Sequence, residues 1–229
     1  MRQIFVTGGT GYLGSRFIPL MLQRGHKITA LVRKGSESRV PQGCAIIVGD
    51  PLKAQTYQHQ IKPADTFVHL VGVPHPSPAK AAQFRSIDLV AANASLDAAR
   101  YANVNHFVYL SVAQPASVMK AYVDSRREAE ERIRESGVNA TFLRPWYVLG
   151  PGHRWAYALI PFYKLFELIP PTRASALRLG LVTLPQMLNA MVRAAETPPN
   201  GVRIVDVPQI KNGHYESGVP TGRNAQSTT

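Results

Sequence analysis

A short apolar run, Gln3-Ile4-Phe5-Val6, leads into Thr7-Gly8-Gly9-Thr10-Gly11-Tyr12-Leu13-Gly14, and a helical pattern follows. Glycines recur at 8, 11 and 14 between a buried strand and a helix start, and this context makes the motif specific. Gly8 permits a tight turn, Gly11 lets the backbone approach a ligand, and Gly14 lets the helix pack close to the strand. The helix N-terminus presents unpaired N–H groups and the positive end of its dipole, which suits a pyrophosphate. The segment 7–14 is therefore expected to cradle a dinucleotide. A Walker-type loop is excluded, because no Gly-Lys-Ser/Thr follows.

Downstream, apolar runs and helical patterns alternate. Strands are expected at 27–32, 45–48, 66–71, 106–110 and 140–143, and helices at 12–24, 79–102 and 120–136. Near-continuous apolar strands separated by helices imply a parallel sheet covered on both faces, and right-handed crossovers make it a doubly wound α/β fold. The pattern changes at Gly150-Pro151-Gly152. Residues 1–150 read as the dinucleotide-binding domain. Residues 151–210 read as a small C-terminal lobe, with an apolar helix at 155–169, a short strand at 177–182, a helix at 185–196 and a last strand at 202–205. Residues 211–229 are polar and without periodicity, and are expected to be disordered or foreign to the fold.

The chain carries a formal net charge of +12, and Cys44 is its only cysteine. A lone cysteine excludes an intrachain disulfide and a multi-cysteine zinc site, and its apolar setting predicts an inert, buried thiol. No metal site is expected. The basic residues are scattered. The densest group, Arg126, Arg127, Arg132 and Arg134, is interleaved with Glu128, Glu130, Glu131 and Glu135, and reads as a solvated helix face with i,i+4 pairs. With no helix-turn-helix or comparable motif, nucleic acid is not an expected partner. No apolar run reaches bilayer-spanning length, and the N-terminus does not read as a signal peptide, so a cytoplasmic protein is expected.

The end of the second strand selects between dinucleotides. An acid there would bind the ribose 2′-hydroxyl, whereas an arginine suits a 2′-phosphate. The chain reads Val32-Arg33-Lys34, so Arg33 and Lys34, with Arg16 assisting, point to NADP(H) as the preferred cofactor and NAD(H) as the alternative. Asp50 after the third strand either meets the adenine amino group or caps a helix that begins at Pro51.

The glycine loop at 8–14, Val32-Arg33, Gly49-Asp50, Tyr122 and Arg144-Pro145 together resemble the short-chain dehydrogenase/reductase superfamily, and its atypical NAD(P)H-binding branch most closely. The resemblance implies roles for particular residues. Ser111, after the fifth strand, would orient a substrate carbonyl, and Tyr122 would carry the proton. Arg126 stands where the family has a lysine, and a planar guanidinium does not simply replace an ammonium in a tight ribose contact. Val71, Gly72 and Val73 would border the cofactor, and Pro145 with the following backbone would meet the nicotinamide carboxamide. Trp146, Tyr147 and His153 would flank the substrate space, while Trp155 reads as core. His69, inside a strand, reads as a satisfied core histidine, and His75 as a weaker substrate-side candidate.

Three functions share this cofactor site. The first is an oxidoreductase moving hydride between NADP(H) and a carbonyl or alcohol of a small-molecule substrate. The second is a non-catalytic NADPH-binding sensor or assembly factor with a regulated protein partner. The third is an epimerase, for which the small lobe leaves little room. The chain is expected to be a monomer or a homodimer formed through the helices that begin near 79 and 120.

Overall fold

The structure is a computed structural model, and it describes residues 1–151 and 178–213. The expected helix around Trp155, and His153 with it, lie outside the described residues, as does the tail beyond 213. Strands β1 (Gln3–Thr7), β2 (Lys27–Val32), β3 (Ala45–Val48), β4 (Thr66–His69), β5 (His106–Leu110), β6 (Ala140–Arg144) and β9 (Val202–Asp206) form one seven-stranded sheet. Its order is β3-β2-β1-β4-β5-β6-β9 and every pair is parallel. The strand order reverses between β1 and β4, so the crevice beyond their carboxyl ends is the place where such a sheet takes a ligand.

Alternation along each strand sorts two cores. Ile4, Val6, Ile28, Ala30, Val68, Val108, Leu143 and Val205 face α1 (Gly14–Gln23) and α5 (Leu184–Glu196). The opposite face carries the aromatic residues Phe5, Phe67, Phe107, Tyr109 and Phe142, with adjacent rings 5.1 Å (Phe5–Phe67) and 5.2 Å (Phe67–Phe107) apart. Over them lie α3 (Val90–Tyr101) and α4 (Lys120–Glu135). Helix α3 buries Ala91, Ala92, Ala94, Ala98 and Ala99, so a small-residue helix face accommodates a bulky sheet face.

Several expectations change. The helix expected at 79–102 is broken into a short turn, α2 (Ala81–Gln83), a π-helical segment Phe84–Leu89, and α3. Strand β3 is an exposed edge, with Ile46 43% and Val48 47% accessible. Its connection from β2 carries only the single turn Glu37–Arg39, so no helix is laid over that edge from that side. Cys44 is half-buried rather than buried, and its thiol donates to the Pro41 carbonyl at 3.1 Å. Burial pushes its pKa up, which keeps it unreactive.

The largest difference concerns the C-terminal segment. Strand β9 completes the main sheet beside β6, and α5 packs on α1, so these elements of the expected C-terminal lobe are part of the principal layers and do not merely pack against them. β9 pairs parallel to β6, buries Val205 completely and covers what would otherwise be the open edge of β6. The short pair β7 (Tyr147–Leu149) and β8 (Leu181–Thr183) stands apart, and α6 (Val207–Asn212) closes the described chain. Two capping boxes start the last helices, Thr183 with Gln186 and Asp206 with Gln209. Among the described residues no helix is long and apolar enough to cross a membrane, and no cluster of His, Cys, Asp or Glu could hold a metal ion.

A candidate dinucleotide cleft at the sheet switch point

A cleft of about 610 Å³ opens at the carboxyl ends of β1, β4 and β5. One end is floored by Gly8, Gly11, Tyr12, Leu13 and Gly14, the other walled by Ser111, Val112, Tyr122, Arg126 and residues 145–148. The glycines are there for steric reasons. Gly8 sits at φ +77°, and a Cβ on it would lie 2.7 Å from the Leu70 carbonyl carbon. A Cβ on Gly14 would collide with the Gly8 carbonyl oxygen. No side chain caps the start of α1. A bare backbone cradle at an uncapped helix N-terminus fits an anionic pyrophosphate.

Thr7 and Gly9 support the loop from behind. The Thr7 hydroxyl lies 3.0 Å from His69 Nδ1, and a Cβ on Gly9 would press on the Ile18 side chain. Thr10 is half-buried in the turn itself. His69 also meets the Ser95 hydroxyl at 2.9 Å, and burial lowers its pKa to about 3, so it is a neutral core histidine as expected. Arg33 and Lys34 stand exposed just past β2, outside the lining of the cleft. Arg16 lies over the Tyr12 ring at 4.2 Å and donates to the Tyr12 carbonyl, which places it beside the loop. Asp50 accepts the Leu52 N–H at 3.0 Å within a turn, and the helix expected to begin at Pro51 is not formed.

Beyond the glycines the floor is formed by Leu70, Gly72 and Val73, and the far wall by Pro145, Trp146, Tyr147 and Val148. Val71, between these floor residues, is half-buried and does not line the cleft. His75 and Met119 both line the mouth in left-handed backbone conformations, at φ 50° and 55°. Non-glycine residues in that region cluster at binding sites.

The three candidate catalytic residues come together here, but with their polar groups committed differently from expectation. Tyr122 lines the cleft, its ring 5.0 Å from that of Phe84. Ser111 donates its hydroxyl proton to Glu130 Oε1 at 2.6 Å, so the proton expected to meet a carbonyl is directed into the protein. Arg126 is only 4% exposed. It donates to Asp88 Oδ2 at 2.8 Å and to the Leu110 carbonyl at 2.9 Å, and its guanidinium carbon lies 5.3 Å from the centre of the Tyr122 ring. The guanidinium packs so tightly on Gly72 that a Cβ there would collide with it.

Two buried acids behind this wall escaped the sequence reading. Asp88 holds Arg126 and also accepts the Val73 N–H at 2.7 Å. Burial pushes its carboxyl above the ordinary value, against the opposing pull of Arg126. Glu130, fully buried, accepts from Ser111, Gln114, Arg134 and Arg144, the last at 2.5 and 2.9 Å. The reading of 126–135 as one solvated face is thus corrected. Val123, Arg126, Ala129, Glu130 and Ile133 are buried at helical spacing, and that spacing was the available signal.

The NAD(P)H-binding family matches residues 8–158, well over half of the chain. A ceramide reductase from Caulobacter vibrioides is 22% identical over 214 residues, covering 93% of this chain and 66% of the relative. A 4-hydroxy-2-methyl-3-oxo-4-farnesyl-3,4-dihydroquinoline-1-oxide ketoreductase from Stigmatella aurantiaca is 24% identical over 168 residues, 64% of this chain and 50% of the relative. The chain therefore spans between half and two thirds of the curated relatives it matches. In fold it is similar to the Bordetella bronchiseptica enzyme WbmH in complex with NAD+, at a TM-score of 0.67 and 20% identity, over 90% of this chain and 76% of that one. It is also similar to a UDP-N-acetylglucosamine 4-epimerase from Bacillus cereus, at 0.66 and 18%, over 93% and 81%. With the glycine cradle at the switch point of a parallel sheet, the chain belongs to the NAD(P)H-binding family.

Proposed function

We propose that this protein is an NADP(H)-dependent oxidoreductase that reduces a carbonyl carried by an apolar, lipid-like molecule, or oxidises the matching alcohol. The observation that carries this reading is one continuous cleft that runs from the glycine cradle to Tyr122. Its walls beyond the cradle are mainly apolar, with Leu70, Val73, Leu110, Val112, Met119 and Trp146. Such a wall suits a substrate with little polarity away from the reacting carbon. Both curated relatives are reductases by name, one of a ceramide and one of a farnesyl-bearing oxo compound.

When bound, NADPH supplies the hydride. Arg33 and Lys34, exposed at the end of β2, would supply charge for the 2′-phosphate, and Asp50 would be the residue to meet the adenine amino group. Gly8, Gly11 and the first turn of α1 hold the pyrophosphate. Gly72, Val73 and Pro145 border the nicotinamide, and Tyr122 moves the proton at the substrate oxygen.

A second reading, an NADPH-binding sensor without turnover, is favoured by one observation: the polar groups of Ser111 and Arg126 are consumed by Glu130 and Asp88. Titration with NADPH and NADH, followed by a panel of long-chain and isoprenoid ketones, decides between them. Turnover that falls at least a hundredfold in Tyr122→Phe, with NADPH affinity retained, supports the oxidoreductase. Tight NADPH binding with no consumption on any ketone supports the sensor, and binding of neither dinucleotide overturns both.

A further inference from the structure

Arg126 stands where the family resemblance leads one to expect a lysine, and the structure gives it a partner suited to a guanidinium. Asp88 lies in the π-helical segment Phe84–Leu89 and is 1% exposed. Its two oxygens are divided between two elements. Oδ1 accepts the Val73 N–H at 2.7 Å, and Oδ2 accepts from Arg126 at 2.8 Å. Arg126 in turn donates to the Leu110 carbonyl at 2.9 Å and reaches the Tyr109 hydroxyl at 3.4 Å. One carboxylate thus ties the loop after β4 to helix α4 and, through Arg126, to the end of β5. Gly72 has no side chain at the point where the guanidinium lies against the backbone. The Arg126 Nε–H is buried and has no hydrogen-bond partner among the described residues, although Arg126 lines the cleft.

We propose that Asp88 is a positioning residue for the nicotinamide half of the cofactor, because it holds the 72–73 floor and the Arg126 guanidinium in one fixed arrangement. The inference rests on the dinucleotide reading of the cleft. A lysine ammonium is a single point of charge, whereas a guanidinium is a planar fork that can be fixed by two acceptors at once. Asp88 and the Leu110 carbonyl each take an N–H from a different terminal nitrogen of that fork. Loss of the Asp88 charge releases the arginine, and with it the tie between the 72–73 floor and helix α4. The adenine half, held by the glycine cradle and Arg33, does not touch either.

The test compares NADPH with 2′,5′-ADP, which lacks the nicotinamide and its ribose, by calorimetric titration of the wild type and Asp88→Asn. The asparagine keeps the shape and the acceptor for Val73 but not the charge that pairs with Arg126. The expected result is a tenfold or greater loss of NADPH affinity, with 2′,5′-ADP affinity within twofold of wild type. Equal losses for both ligands, or no loss for either, overturn the proposal by reducing Asp88 to a general structural role or to none. Should Asp88→Asn fail to fold, Asp88→Asn with Arg126→Gln, which leaves no unpaired buried charge, carries the same comparison and the same two outcomes. Failure of the wild type to bind either ligand instead removes the cofactor reading, and so is distinguishable from failure of the clamp.

Discussion

A Cβ placed on Gly14 would collide with the Gly8 carbonyl oxygen and come within 2.7 Å of the Gly9 Cα. Both obstacles are backbone, so neither can swing aside, and Gly14→Ala must push α1 away from the loop. Overpacking of this kind costs about 1–3 kcal/mol. The expected outcome is a lower Tm in thermal unfolding together with at least tenfold weaker NADPH binding; an unchanged affinity would disconnect the cradle from the ligand. Arg33 offers the opposite case. It is exposed beyond β2, so Arg33→Ala leaves Tm unchanged. A charge-assisted hydrogen bond is worth roughly 1.5–3 kcal/mol, so its loss weakens NADPH by about ten- to hundredfold while NADH is unaffected. Titration with both dinucleotides checks this, and equal effects on the two would remove the 2′-phosphate assignment.

Helix α4 shows how one element serves two environments. Its outer face carries exposed pairs, Arg127 with Asp124 and Arg132 with Asp97, each worth at most about 1 kcal/mol. Its inner face carries Arg126 and Glu130, and Glu130 meets Arg144, which is only 13% exposed, as well as Arg134. Removing the carboxylate leaves Arg144 only its longer 3.8 Å pairing with Asp206, so Glu130→Ala is expected to lower stability by about 3 kcal/mol in urea unfolding. The matching variant on the outer face, Glu131→Ala, should change it by less than about 0.5 kcal/mol. Comparable losses in the two variants would show that the buried network carries no special share. The same helix explains what could be read from the sequence. The strand and helix order, the glycine cradle and the buried His69 follow from patterns with a strong period or a strict steric demand. The role of Glu130 was hidden because its neighbours in sequence are charged, and local charge alternation describes a surface equally well. Asp88 was hidden for a different reason: its partners, Val73 and Arg126, are distant in sequence and are brought together only by the crossovers of the sheet. β9 was read as part of a small lobe packed on the sheet, and not as a strand of it, because nothing local to 202–206 tells which strand it will join.

Among the described residues, two histidines are buried within the main sheet. His69 and His106 are inaccessible, and burial brings each pKa down to about 3; near His106 the positive charges of Arg203 and Arg2 act in the same direction and Asp65 opposes them. An unfolded chain titrates its histidines near 6.5. Below that pH the unfolded state therefore binds protons that the folded state refuses, and the stability present above about pH 6.5 is lost progressively as pH falls toward 3. Each histidine contributes a slope of up to about 1.4 kcal/mol per pH unit. The buried carboxyl of Asp88 and the half-buried one of Asp206, whose pKa values are pushed up by desolvation, work in the opposite sense, because the folded state then takes protons more readily than the unfolded one. A variant isolates the histidine share. His106 lies at the far end of the sheet from the cleft, with Nε2 3.0 Å from the Thr141 hydroxyl, so His106→Gln removes one titrating group without touching the ligand site. Urea unfolding at pH 7.5, 6.5 and 5.5 should show stability declining with acidity in the wild type, and declining less steeply in His106→Gln. Parallel curves for the two proteins would mean that His106 takes up its proton in the folded state as readily as in the unfolded one, and that its burial does not govern its charge.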